Sequence, residues 1–312
     1  MRGAEETWLR RFARRGYPAA TLLASGMEGA VYRLDDELVA KVWERKGHAE
    51  LVAMGDFYEQ LVGVGLDFAT PRFLELWAVD GVQVTIERWL PGMPLDSVGP
   101  RAVDCMVEAL QGLHCAGELT AARTLPVLGE PVAMWDGVES WPAALWGLVE
   151  RRLARGGDLL RARLPAFDAL VERLRDLIAG LPADGLCVLH GDLIPANILV
   201  DEDLRPRAVL DFGFLSTVGD PFFDLAVTAS VFDMYGSHGR QAEAAIDRAA
   251  AGRFGLAPER LALYRAVYAI VTANVYDPGG EDGHFRWCVE MLRRDDIAAL
   301  LGIDAGRAGD GG

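Results

Sequence analysis

An α+β fold, with strands gathered near the N-terminus and helices filling most of the rest, is predicted by three features of this 312-residue chain. Short apolar runs rich in β-branched residues, such as 37–43 and 82–86, fall before residue 90. From Arg101 onward, apolar residues recur mainly at helical spacings of three and four. Between these helical stretches lies His190-Gly191-Asp192, followed by Asn197 and then by Asp211-Phe212-Gly213. Strands and helices that occupy separate stretches of sequence argue against an alternating parallel sheet.

In chain order, residues 24–32 come first, with Gly26 and Gly29 preceded by Ser25 and followed by strand-like residues. That pattern suits a turn whose backbone amides cover phosphates. Residues 37–43 read as a strand carrying Lys41. Only Lys41 and Lys46 are lysines in a chain well supplied with arginine, so a compact ammonium kept inside a strand suits pairing with α- and β-phosphates. Residues 47–64 read as a helix from the spacing of Leu51, Met54, Phe57, Leu61 and Val64. Glu50 shares a stripe with Met54, Phe57 and Leu61 and is the expected partner of Lys41; Glu59, off that stripe, is the alternative.

Beyond residue 90, helices are expected at 101–115, 141–154, 167–178, 223–235, 241–254, 259–274 and 284–301, with a loop at 118–135. Trp135, Trp141 and Trp146 read as packing residues. The Gly-, Ala- and Asp-rich residues 302–312 read as a disordered tail. The expected organisation is an N-terminal nucleotide lobe at 1–90 and a helical lobe at 91–301 that carries the catalytic loop and acceptor site.

The central string carries the chemistry. Phosphoryl transfer needs one carboxylate to take the proton of the incoming hydroxyl, and hard oxygen ligands to hold magnesium against the phosphates. Asp192 suits the first role, and Asn197 with Asp211 the second. Residues 198–200 and 208–210 read as short strands joined by the polar turn 201–207, a hairpin that would bring Asn197 and Asp211 together.

The order of glycine turn, Lys41, helix carboxylate, His190-Gly191-Asp192, Asn197 and Asp211-Phe212-Gly213 resembles the aminoglycoside phosphotransferase and choline kinase family over roughly residues 20–235. The resemblance implies a protein-kinase-like two-lobed fold, with a small antiparallel-sheet lobe of five strands and one helix, a larger helical lobe, and ATP and magnesium as cofactors. It also implies that Asp224, in Gly219-Asp220-Pro221-Phe222-Phe223-Asp224, braces the catalytic loop. Glu87 and Trp89 would form a hinge that meets the adenine edge through backbone carbonyl and amide. The chain departs from protein kinases in a GxxG at Gly26–Gly29 and in the ten residues between Gly213 and Asp224. So short a segment leaves no room to dock a peptide and points to a small-molecule acceptor.

A net charge of −15 disfavours nucleic acid and anionic membranes as partners and is compatible with a cationic acceptor. Asp277, Glu281 and Asp282 are the candidate acceptor rim. No run has membrane-spanning length, and the acidic N-terminus lacks a signal peptide's apolar core, so a cytoplasmic protein is expected. The four cysteines show no paired spacing and the histidines are scattered, which argues for reduced thiols and against zinc. Aminoglycosides and other antibiotics, sugars, and choline-type amino alcohols all remain open as acceptors. A nucleotide-binding regulatory protein without turnover is the reading from another class.

Overall fold

Five antiparallel strands, β1 (Thr21–Gly26), β2 (Gly29–Arg33), β3 (Leu38–Trp43), β4 (Phe73–Val79) and β5 (Val82–Arg88), form one sheet in the order β1-β2-β3-β5-β4. The two-residue period of a strand sets its faces. Ala40 and Val42 are buried with Tyr32, Val84 and Ile86, while Lys41 between them points the other way. The buried face is covered by Trp8 and Phe12 of a helix, α1 (Arg2–Arg14), that the sequence reading did not anticipate. With α2 (His48–Val64), this part of the chain therefore carries two helices rather than one among the described residues.

The computed structural model describes residues 2–26, 28–96, 99–255 and 257–302. The expected disordered tail lies, from residue 303 on, outside the described residues. Two units divide the chain: Met1–Leu95 with Ala196–Asp211, and Asp96–Pro195 with Phe212–Gly312. The expected boundary at residue 90 thus misses a returning segment. Strand β6 (Met93–Pro94) explains why it returns. Two later strands, β8 (Ile198–Val200) and β9 (Pro206–Val209), form the expected hairpin, and β8 pairs with β6 while Ala69 exchanges backbone hydrogen bonds with Arg207 and Val209.

In the second unit, β7 (Cys187–Leu189) pairs antiparallel with β10 (Thr217–Gly219). Its helices are α3 (Pro100–Cys115), α4 (Trp141–Arg161), α5 (Phe167–Ala179), α6 (Pro221–Val231), α7 (Gly239–Phe254), α8 (Pro258–Thr272), α9 (Gly283–Leu292) and α10 (Asp295–Leu301). Every residue of α8 from Leu261 to Thr272 is buried, as expected of a helix apolar on nearly all sides. The single helix expected at 284–301 is two. Arg294 leaves the helical path in extended conformation, and its guanidinium takes both carboxylate oxygens of buried Glu243 at 2.9 Å. Trp135 and Trp141 are buried packing residues, and no helix among the described residues is long and apolar enough to cross a membrane.

Candidate active site

The first unit gathers charge around Lys41. Its Nζ donates to Asp211 Oδ1 at 2.8 Å, lies 3.7 Å from Glu28 Oε2, and sits 4.1 Å above the Trp43 ring. Burial alone would lower the Lys41 pKa, but the charges of Asp211, Glu28 and Glu87 outweigh it and hold the ammonium above its usual range. The Glu87 side chain belongs to the same group. Trp43 Nε1 donates to Thr85 Oγ1 at 3.0 Å, and that hydroxyl donates to Glu87 Oε1 at 2.7 Å. Burial raises the Glu87 carboxyl above its ordinary value although Lys41 and Thr85 pull it down.

Two expectations for this cluster are corrected. Lys41 pairs with neither helix carboxylate: Glu50 takes Lys46 at 2.7 Å, and Glu59 takes Arg72 at 2.7 Å. Helix α2 instead presents buried Tyr58, whose phenol is pushed well up by burial and then by the charges of Glu87, Asp211 and Glu28. Nor does the Trp89 amide await an adenine edge. It donates to Glu37 O at 2.6 Å, carrying the β3–β5 pairing one residue past Leu38 and Arg88, while the Arg33 guanidinium lies over its ring.

The glycine turn is the tip of the β1–β2 hairpin, with Gly26 opposite Gly29 and Ser25 opposite Ala30. Gly29 is required by packing: at φ +142 its missing Cβ would lie 1.8 Å from the Val42 carbonyl oxygen. Gly26 has open space where its Cβ would be, so its role is not steric.

Asn197 and Asp211 flank the β8–β9 hairpin. Ile198 pairs with Val209, and the Leu210 amide donates to Asn197 O at 2.8 Å, so the two side chains leave adjacent strand ends. Asp211 adopts a left-handed backbone at φ 61, which an aspartate tolerates better than most side chains and which marks the position as constrained. Among the described residues no group of three or more His, Cys, Asp and Glu is placed to hold a metal. Two hard oxygen donors on one hairpin still fit magnesium, which takes one or two protein ligands and completes its shell with phosphate and water.

In the second unit, the loop after β7 is held from beneath by one buried carboxylate. Asp224, in the first turn of α6, accepts the His190 amide on Oδ2 and the Gly191 amide on Oδ1, both at 2.8 Å. Burial raises its pKa while His190 and the two amides oppose that shift. The His190 carbonyl accepts from Ser216 Oγ at 2.7 Å, and its Nδ1 accepts the Asp192 amide at 3.2 Å. Gly191 has φ +76, and a Cβ there would lie 2.4 Å from that of Leu215. No larger residue fits this position, which accounts for glycine between His190 and Asp192.

The short segment after Asp211-Phe212-Gly213 is bonded within the second unit, in part to this loop. Gly213 donates to Ser216 Oγ, Phe214 O accepts from Leu128, and Thr217–Gly219 is β10. Nearby, Asp220 caps α6 and accepts from Tyr264 OH at 2.6 Å, which in turn accepts from Trp141 Nε1.

Around Asp192 the structure places aromatic side chains that sequence reasoning missed. The Tyr276 phenol is pushed up to about 12 by burial and then by the Asp192 charge, and the same two causes raise Tyr268. Tyr276 stacks on Phe214 with centroids 6.2 Å apart and meets His284 edge-on, while Tyr235 OH lies 3.3 Å from His284 Nδ1. The one available signal was a tyrosine immediately before Asp277. The expected rim is largely occupied with its own backbone: Asp277 accepts the Gly279 and Glu281 amides, and Asp282 caps α9 by accepting from Phe285 at 2.7 Å. Those two amides hold the Asp277 carboxyl below its usual value. Glu281 is exposed.

Solved structures share this fold. Macrolide 2'-phosphotransferase MphH from Brachybacterium faecium is 20% identical with a TM-score of 0.57, over 92% of this chain and 98% of that one. A thermostable mutant of aminoglycoside phosphotransferase APH(4)-Ia is 16% identical with a TM-score of 0.64, over 95% and 99%. Aminoglycoside phosphotransferase APH(3'')-Id from Streptomyces rimosus, in complex with ADP and streptomycin, is 20% identical with a TM-score of 0.55, over 89% and 98%. No curated protein sequence matches the chain. The model of the phosphotransferase enzyme family does, across residues 19–264, and the chain belongs to that family.

Proposed function

We propose that this small-molecule phosphotransferase transfers the γ-phosphoryl group of ATP, with magnesium, to a hydroxyl of a small acceptor. The observation that carries the reading is the 2.8 Å pair between Lys41 and Asp211, a strand ammonium and a constrained carboxylate 170 positions apart. A similar fold that holds ADP and streptomycin supports a nucleotide and a hydroxylated small molecule as the two substrates.

In this reading Lys41 holds the α- and β-phosphates, and Asn197 and Asp211 supply oxygens to magnesium. When bound, the ion neutralises charge on the phosphate oxygens. Asp192 accepts the proton of the acceptor hydroxyl as that oxygen bonds to phosphorus and the bond to the bridging oxygen of the leaving ADP breaks. Asp224 does not touch substrate; its two amide bonds fix the loop that presents Asp192. Positioning then supplies most of the rate. Residues 213–219 are bonded to the catalytic loop, β7 and Leu128, which supports an acceptor no larger than a drug-sized molecule. The exposed faces of Tyr276 and Tyr235 offer it a surface, suited to an ammonium group or to the apolar face of a sugar.

The test is a panel of aminoglycosides, macrolides, sugars and amino alcohols incubated with ATP or GTP and magnesium, with phosphorylated product read by mass spectrometry. Product from one acceptor, lost in Asp192→Asn, is the expected result. Nucleotide binding without turnover on any acceptor would favour the regulatory alternative.

A further inference from the structure

Lys46 has no part in the scheme above, yet it is the more deeply buried of the chain's two lysines. Its side chain is 9% exposed, against 19% for Lys41. It lies in the connection between β3 and α2, and its Nζ sits 5.9 Å from the centroid of the Trp43 ring that Lys41 also covers. Both ammonium groups converge on one carboxylate: Glu28 places Oε2 3.7 Å from Lys41 and Oε1 3.4 Å from Lys46. Glu28 belongs to the β1–β2 turn. Its backbone is anchored, with its carbonyl accepting from the Glu44 amide at 2.9 Å and Gly29 packed on Val42, but its side chain is 41% exposed and able to swing out.

A carboxylate with one oxygen on each of two ammonium groups has the charge and the bidentate shape of a phosphate. Resting on the reading of the protein as a nucleotide-dependent phosphotransferase, we propose that Lys46 is a second phosphate-binding ammonium and that Glu28 holds both lysines until nucleotide phosphate displaces it. Glu50, 2.7 Å from Lys46, keeps that lysine aimed, the service it was expected to give Lys41. Displacement answers an electrostatic difficulty. With Asp211 turned to magnesium in that reading, Glu28 still occupies both lysines, so phosphate oxygens reach the two ammonium groups only as this carboxylate leaves. The half-exposed Glu28 on a turn is the one placed to do so.

Equilibrium binding of adenosine, ADP and ATP, and of guanosine, GDP and GTP, is measured with magnesium on the wild type, Lys46→Met, Lys46→Arg and Glu28→Gln, following Trp fluorescence or heat. Lys46→Met is expected to weaken triphosphate binding about tenfold or more, the worth of a hydrogen bond to a charged group. It should leave nucleoside binding unchanged, and Lys46→Arg should recover most of the loss. Glu28→Gln removes an exposed competitor and should tighten triphosphate binding by about two- to fivefold, again without effect on nucleoside. Equal triphosphate affinity in wild type and a folded Lys46→Met protein, or weaker binding in Glu28→Gln, overturns the proposal and leaves the kinase reading intact. Absence of any nucleotide binding by the wild type overturns both.

Discussion

Asp211 and Asp224 are the same residue type, one in each unit, and they are held in opposite ways. Asp211 is half-exposed and accepts from the Lys41 side chain, while Asp224 is 3% exposed and accepts from two backbone amides. A ligand can take the place of a side-chain partner but not of a backbone one. In the proposed function, the cluster around Lys41 would exchange partners when phosphates and metal arrive. The loop that carries Asp192 is built to stay where folding puts it. Catalysis by positioning needs both kinds of site, because the charges that receive the nucleotide must be satisfied without it, whereas the base must be in place beforehand.

The largest effect is expected where the fixed loop delivers its one chemical group. Asp192→Asn should lower kcat by about 10² to 10⁴, the usual value of a positioned general base, while nucleotide affinity stays close to wild type. Near-normal turnover of a verified acceptor would remove Asp192 from the base role.

Asp224→Ala tests whether the loop is held as rigidly as its bonds suggest. Two buried amides would lose their acceptor, at about 1–3 kcal/mol for each unsatisfied group, read as a fall in denaturation midpoint at unchanged slope. Asp211→Ala, by contrast, should cost under about 1 kcal/mol of stability, because it breaks a half-exposed pair. Its loss should appear as magnesium-dependent nucleotide affinity, weaker by at least about tenfold. Equal stability losses in the two variants would erase the distinction between the units.

The contrast also explains what could be read from sequence. The hairpin that brings Asn197 and Asp211 together was legible because two short apolar runs flank a polar turn, and the roles proposed for these residues and Asp192 rest on residue types at short spacings. The five-stranded sheet was expected from the family resemblance, and of its strands β3 and β5 were legible in their own apolar, β-branched runs whereas β4 was not. The partner of Lys41 was not legible either, since a helical stripe reports which side of α2 is buried and not which cation a carboxylate meets. Glu50 lies inward as expected and finds Lys46. The surface proposed for the acceptor was least legible. Asp277 and Asp282 look like free carboxylates in a loop, but turn and cap geometry, which depends on backbone conformation, consumes them. Tyr276 and Tyr268 approach Asp192 only through tertiary packing.

A smaller effect is expected at that aromatic surface. Tyr276→Ala should raise the acceptor KM about threefold to tenfold, in line with the worth of an aromatic contact, and leave nucleotide KM unchanged. Tyr276→Phe should behave as wild type if the ring face is what matters. An unchanged acceptor KM in the alanine variant would move the acceptor away from this surface.

The smallest effect concerns pH and the one histidine behind those tyrosines. Thr272 Oγ1 donates to the Tyr268 carbonyl at 2.7 Å, so at 2.9 Å it accepts from His284 Nε2, which leaves Nδ1 to accept from Tyr235 OH. The imidazole is thereby fixed as the neutral Nε2–H tautomer. Burial lowers its pKa below the usual value, although the Asp282 charge and Thr272 partly offset this. An unfolded chain protonates this histidine near pH 6.5, and the folded chain only at a lower pH. Between those two values the unfolded state binds more protons, so stability contributed by neutral His284 is complete above about pH 6.5 and is lost as pH falls toward the folded value. Denaturation midpoints of the wild type and His284→Gln at pH 7.5, 6.5 and 5.5 isolate this contribution, because the carboxylates common to both cancel. The wild type should lose more stability than the variant between pH 6.5 and 5.5. Parallel losses in the two proteins would mean that His284 protonates as readily in the folded chain as in the unfolded one, and that even the fixed unit accepts a charge where its backbone does not forbid it.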